Sequence, residues 1–137
     1  MEKTRIMPEG FWDWPLPTTF SQGWRIGNLV FVGGQVSQTP DGRPKHPYDM
    51  EAQIGEVFEN IRTVLADAGA DLSDIVKLNT YWVHDGADQD EFYKWMTEIR
   101  HRYLADPGPA ATAVRVAGLA VEGLVIEIEA IAVVPEA

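Results

Sequence analysis

In the run VIEIEAIAVV, residues 125–134, Ile126, Ile128, Ala130 and Ala132 share one side of an extended chain, and Glu127, Glu129, Ile131 and Val133 share the other. The first side is a core face. The second changes from carboxylates to aliphatics halfway along, which a purely solvated face has no reason to do. Upstream, WRIGNLVFVGGQV places Gly27-Asn28 between two β-rich runs, the signature of a two-residue hairpin turn. In the second of these runs Leu29 and Phe31 alternate with Val30 and Val32, so the strand is expected to be buried on both faces. Residues 36–48, crowded with Pro, Gly, Asp and Ser, read as a loop.

Asp49 then caps a helix in which Ile54, Val57, Phe58, Ile61, Val64, Leu65 and Ala68 recur at steps of three and four, and Gly69 ends it. DIVKLNTYWVH is the next strand, with Val76, Leu78, Thr80 and Trp82 on one face and Lys77, Asn79 and Tyr81 on the other. A second helix is expected to begin near Asp88, which stands in capping-box spacing with Glu91. It buries Phe92, Trp95, Met96, Ile99 and Tyr103 and closes at Pro107-Gly108. Strands at about 111–118 and 124–134 finish the chain. The order β-β-α-β-α-β-β describes an α+β fold in which right-handed crossovers lay both helices on one face of a single sheet. The opposite face, with Tyr81, Ile131, Val133 and one side of the 29–36 strand, is too apolar for water and is expected to bury itself against copies of the same chain. Glu127 and Glu129 then sit on the oligomer-facing side, where carboxylates need partners or a wet cleft.

Composition narrows the function. The 137 residues, 45% hydrophobic, are the size of one domain, 1–137, and Phe11, Trp12 and Trp14 make its Pro-rich segment 1–19 too apolar for a disordered leader. No stretch has the length of a signal peptide's apolar core or a membrane span, so a soluble, cytoplasmic protein without membrane contact is expected. Without cysteine there are no disulfides, thiolate nucleophiles or zinc-thiolate sites. The formal charge of −10, from 21 acidic against 11 basic residues, repels phosphate backbones and makes nucleic acid a poor partner. The one basic cluster, RHR at 100–102, points its side chains in different directions on a helix and reads as a solvated face. His46, His84 and His101 lack ligand-like spacing, so no metal site is expected. Ser21, Ser37 and Ser73 lack a nucleophile elbow, and Gly33-Gly34 is too short for a phosphate loop. These glycines instead admit a ligand or another backbone close to the strand. Most of the five tryptophans read as core or interface, with Trp12 and Trp14 candidates for a lid over a cleft.

NLVFVGGQV, then VLADAGADLSDIVKLNTYWV, then PAATAVRVAGLAVEGLVIEIEAIAV, spread from about Phe20 to Val134, resemble the Rid family, the reactive intermediate deaminases also called YjgF-like proteins. The resemblance implies a chorismate-mutase-like α+β fold with a six-stranded sheet and two helices on one face. It also implies a homotrimer with small-molecule clefts between subunits, and hydrolysis of 2-imino or enamine acids to 2-keto acids and ammonia without metal or cofactor. By position, Glu127 matches the family glutamate that holds the attacking water, and Gly34 and Gln35 keep its Gly-Gln pair. Tyr81 matches an aromatic on the neighbouring subunit's side of the cleft, and the backbone amide of Ala113 matches a donor to the ligand. Ala111 stands where the family deaminases carry the arginine that clamps the substrate carboxylate. Phe20 replaces a tyrosine, Gly33 a serine and Met96 an asparagine. Arg115, on the same strand face as Ala111, would displace the charge by roughly 13 Å along the strand, and Arg25 is the other cation considered. Glu129 reads as structural, paired with Lys77 across the sheet.

For Glu127 the chemistry is concrete: a carboxylate in a partly dry cleft polarises water toward an electrophilic C=N carbon, and burial raises its pKa toward useful values. The reading that follows is a divergent Rid-type hydrolase of a reactive imine or enamine other than a simple 2-imino acid. In it Glu127 positions water, backbone amides near Gly34 and Ala113 hold the ligand, and Phe20 and Tyr81 shape the pocket. The alternative is a non-catalytic small-molecule-binding or regulatory trimer on the same scaffold. Against a third, the ribonuclease activity sometimes attached to the family, stand the negative charge and the lack of a basic stripe.

Overall fold

The structure, a computed structural model, describes residues 1–83 and 89–135. His84 and the helix start expected at Asp88 lie outside them. Six strands form one mixed sheet: β1 (Lys3–Ile6), β2 (Gly23–Ile26), β3 (Leu29–Gln35), β4 (Ile75–Trp82), β5 (Ala110–Arg115) and β6 (Ile126–Val133), in the order β1-β2-β3-β6-β4-β5. The helices are α1 (Met50–Asp67) and α2 (Gln89–Tyr103). Among the described residues only β4 and β5 pair in parallel, and the segment carrying α2 makes the crossover such a pair requires.

The α+β architecture with both helices against one sheet face is the one the hydrophobic pattern predicts. The Gly27 turn, at φ 58°, joins β2 to β3 with Ile26 opposite Leu29. Asp49 caps α1 by accepting from the Ala52 amide at 3.1 Å, and Gly69, at φ 81°, follows its last turn. Arg25 closes that end. It donates to the carbonyls of Ala68 at 2.7 Å and Gly27 at 2.9 Å, so it fastens the helix to the hairpin on the sheet face of its register partner Val30, away from Glu127.

Three expectations need correction. A strand the pattern did not show, β1, pairs with β2: four residues with two charges carry too little alternation, and only Ile6 is buried. Strand β3 is not buried on both faces within the chain. Val30 and Val32 enter the core, while Leu29 and Phe31 each remain 39% exposed on the face away from the helices. In β4 a register shift between Ile75 and Lys77 turns Val76 outward and Ile75 into the core, so only Leu78, Thr80 and Trp82 of the expected face are buried.

The core lies between that face and α1, whose Ile54, Val57, Phe58, Ile61, Val64 and Leu65 are buried. Phe92 of α2 stacks on Trp82 of β4 with ring centroids 3.7 Å apart, and Tyr103 stacks on Phe58 at 5.1 Å. A smaller apolar cluster gathers Trp12, Val36 and Leu124 with Trp14 and Phe20 packed against them. Trp12 is therefore a core residue and not a lid. Its indole N–H donates to Gln35 at 2.9 Å, Gln35 donates to Gln22 at 2.8 Å, and Gln22 donates back to the Trp12 carbonyl at 2.8 Å. No helix among the described residues is long and apolar enough to cross a membrane.

Gln53 joins three parts of the fold. Fully buried on α1, it donates to the carbonyls of His46 and Gly123, both at 2.8 Å, and accepts from the Val125 amide at 2.9 Å. Gln53→Leu keeps the volume and strands two carbonyls and an amide, so it should lower stability by about 3 kcal/mol. Urea unfolding would register this as a lower midpoint; an unchanged midpoint would refute the clamp.

Candidate functional site

The side chains of β6 alternate cleanly, with Ile126, Ile128, Ala130 and Ala132 buried on the helix side. Glu127 and Glu129 face the other way, and the sheet decides what each meets. On one flank β6 pairs with β4, placing Tyr81 opposite Glu127 and Asn79 opposite Glu129. On the other flank it pairs with β3, where Val32 lies opposite Ala130 and Gln35 opposite Ile128. Between those pairs β3 has two residues, Gly33 and Gly34, and β6 has one, Glu129. This is a bulge built from glycines.

The bulge makes room for a carboxylate. A Cβ at Gly34 would lie 2.9 Å from Cδ and 3.1 Å from Cγ of Glu127, so the glutamate occupies the space any other residue would fill. Gly33 is tight for a separate reason. Its amide donates to the Gln22 carbonyl at 2.7 Å, and a Cβ there would lie 3.0 Å from the same oxygen.

The two glutamates have different surroundings. Glu129 accepts from the Tyr81 hydroxyl at 2.9 Å and from the Asn79 amide at 3.2 Å. Its holders are thus Asn79 and Tyr81, not the expected Lys77, whose register partner on β6 is Ile131. Its hydrogen bond is also the main reason the Tyr81 hydroxyl titrates above the ordinary tyrosine range. Glu127 receives no hydrogen bond or ion pair among the described residues. Burial, and secondarily the Glu129 charge, hold its carboxyl above the usual carboxylate range. A half-buried carboxylate with free acceptor positions beside a satisfied one is able to accept a proton. An open depression of about 360 Å³ continues from Glu129 along the same face between Trp24, Phe31, Gly33, Asn79 and Ile131.

The other candidate residues are dispersed. Gln35 faces the core, and its side chain is committed to Trp12 and Gln22. Phe20 lies in the aromatic cluster, 5.5 Å from Trp12 and 6.0 Å from Trp14 between ring centroids. Ala111, Ala113 and Arg115 stand in register with Leu78, Thr80 and Trp82. Neighbours across a sheet point to the same side, so these three face the helix side at the sheet's edge, opposite to Glu127. All of β5 is exposed. Ala113 borders a hollow of about 370 Å³ whose further lining comes from α2: Tyr93, Met96, Arg100 and His101 among others. Sequence reasoning set Arg100 aside as a solvated helix residue. Its step of four from Met96 was the available signal.

Residues 15–134 match the model of the family described as Endoribonuclease L-PSP. A RutC family protein of Pyrococcus abyssi is 37% identical over 113 residues, 82% of this chain and 84% of its own. The chloroplastic protein of Arabidopsis thaliana named Reactive Intermediate Deaminase A is 34% identical over 113 residues, 82% of this chain and 57% of its own. The crystal structure of RidA from an Antarctic Psychrobacter superposes with a TM-score of 0.79 at 32% identity, covering 95% of this chain and 98% of that one.

The raised pKa of Glu127 has a consequence for stability. Its folded-state pKa lies above the unfolded value, so the ionised form is penalised by folding at neutral pH, and the penalty disappears once the carboxyl is protonated in both states. Glu127→Gln should therefore raise the melting temperature at pH 7 by about 2–5 °C. The gain should fade below the ordinary carboxylate range near about pH 4. Melting curves across pH 3–8 check this, and a gain that grows on acidification contradicts it.

Proposed function

The chain belongs to the Endoribonuclease L-PSP family, the Rid or YjgF-like proteins, and we propose that it hydrolyses a reactive imine or enamine to a carbonyl compound and ammonia. The observation that carries this reading is Glu127: half-buried, unbonded among the described residues, raised in pKa and packed on Gly34. As water attacks the C=N carbon, Glu127 accepts its proton and returns one to nitrogen. The carbinolamine hydroxyl then passes its proton to the nitrogen by way of the same carboxylate, the C–N bond breaks as the C=O bond forms, and ammonia leaves. No cofactor is required, because water supplies the oxygen and no electrons change hands.

In this reading the cleft lies between copies of a homotrimer. The face carrying Glu127 turns apolar further along: Leu29 and Phe31, opposite Val133 and Ile131 of β6, are 39% exposed, and Val114, in register with Tyr81, is 43% exposed. Beside this face the outer edge of β5 has no strand partner among the described residues. Copies associating through these surfaces would bring the β5 residues of one chain to the Glu127 of the next. Ala111 favours the second reading, a trimer that binds a small molecule without chemistry, because it removes the usual carboxylate clamp. The endoribonuclease in the family's description fits poorly with a net charge of −10.

One assay decides between them. Imines generated in situ by an amino-acid oxidase should release carbonyl product faster with this protein. Glu127→Gln should lower the rate by about 100-fold or more. Gly34→Ala, whose added Cβ would meet the Glu127 side chain, should lower it by about 10- to 100-fold. Equal rates for all three proteins would remove the hydrolase reading. Mass measurement at micromolar concentration should give three chains, and a monomer would remove the intersubunit cleft.

A further inference from the structure

The bulge that makes room for Glu127 is built from the residue type least able to hold a shape. Gly33 and Gly34 have no side chains to pack, and glycine has the widest choice of backbone conformations. The bulge also interrupts the ladder between β3 and β6, whose register shifts between Val32 and Gln35. Both polar groups of Gly33 are nevertheless held. Its amide donates to the Gln22 carbonyl at 2.7 Å, and its carbonyl accepts from the side-chain amide of Gln35 at 3.2 Å.

Gln35 does this from the other side of the sheet. It is fully buried on the helix side, in register with Ile128, and its carboxamide is committed at every proton. One N–H goes to Gly33 and the other to Oε1 of Gln22 at 2.8 Å, while Oε1 of Gln35 accepts from the Trp12 indole at 2.9 Å. Gln22 closes the ring by donating to the Trp12 carbonyl at 2.8 Å. The orientation of each amide is dictated by chemistry. An indole N–H only donates and a backbone carbonyl only accepts, so turning either amide over would set donor against donor or acceptor against acceptor. Trp12, Gln22 and Gln35 are all buried, so water does not compete for these groups. A closed, buried network of this kind rigidifies what it touches, and one of the things it touches is the bulge.

We propose that Gln35 is a positioning residue for Glu127: through the Gly33 carbonyl it holds the glycine bulge, and the bulge holds the carboxylate. The last link is direct, because a Cβ at Gly34 would lie 2.9 Å from Cδ of Glu127, so the bare backbone of Gly34 is one wall of the carboxylate's surroundings. The inference rests on the reading of Glu127 as the working carboxylate. Burial is the larger of the two causes that hold the Glu127 carboxyl above the usual range, and a loosened bulge admits water to it. The titratable groups facing Glu127 are Glu129 on β6 and Tyr81 on β4, which bond to each other, and the bulge itself brings none. Loosening the bulge therefore moves the titration of Glu127 downward.

The test compares Gln35→Leu with Glu127→Gln, with the double variant, and with Ile61→Ala, which weakens the core on α1 away from the bulge. With imines generated in situ, Gln35→Leu should lower kcat by about 10-fold and change KM by less than about 3-fold. In the Glu127→Gln background it should add no further loss. Ile61→Ala should lower the melting temperature and leave kcat unchanged. The carboxyl carbon resonance of Glu127, followed by nuclear magnetic resonance from about pH 3 to about pH 8 without substrate, should titrate lower in Gln35→Leu than in the natural protein. If Gln35→Leu does not fold, Trp12→Phe, which keeps an aromatic ring and removes the N–H, should move the same resonance in the same direction by less. An unchanged titration of Glu127, or rate losses that multiply in the double variant, would overturn the positioning role. A lowered titration in a protein that hydrolyses no imine would refute the hydrolase reading alone. Hydrolysis that needs Glu127 and is untouched by Gln35→Leu would refute the Gln35 reading alone.

Discussion

A β-strand offers its side chains to two faces and to nothing else, and β6 is where this constraint organises the molecule. It lies between β3 and β4, inside the sheet, so its backbone is satisfied on both flanks and cannot shift by one residue. A slip would put Glu127 and Glu129 into the core and Ile126, Ile128, Ala130 and Ala132 outside. The packing of α1 on the helix side thus fixes the register that presents the two glutamates on the other. Stability on one face and chemistry on the other are consequences of the same hydrogen-bond ladder.

That coupling explains why so much of the fold was legible and why the remainder was not. Period-two alternation in β6, the three-and-four spacing of Ile54, Val57, Phe58 and Ile61, and the Gly27-Asn28 turn each report local backbone geometry, and local geometry is what a sequence states directly. Strand β1 escaped notice because its order comes from β2, a partner seventeen or more residues away, and not from its own four residues. The outward turn of Val76 escaped for the same reason: a register shift belongs to a pair of strands. For the candidate site, Glu127 and Gly34 were named through the resemblance, and the structure brings them together on adjacent strands. Neither pattern nor resemblance could show that Gln35 spends its amide on Trp12 and Gln22, or that Arg100 approaches Ala113 from another element, because both depend on side chains meeting across distant segments.

The contrast between Glu127 and Glu129 shows how one strand assigns two roles to one residue type. Two residues apart and on the same face, they differ in what the neighbouring strands present. Asn79 and Tyr81 direct their donors to Glu129, and the glycine bulge presents bare backbone to Glu127. Burial, and secondarily the charge of the satisfied carboxylate, raise the pKa of the unsatisfied one, which retains acceptor capacity that folding alone does not use. Holding such a group half-buried opposes stability. Its persistence beside a bulge whose Gly34 leaves it room is intelligible where the carboxylate has a use.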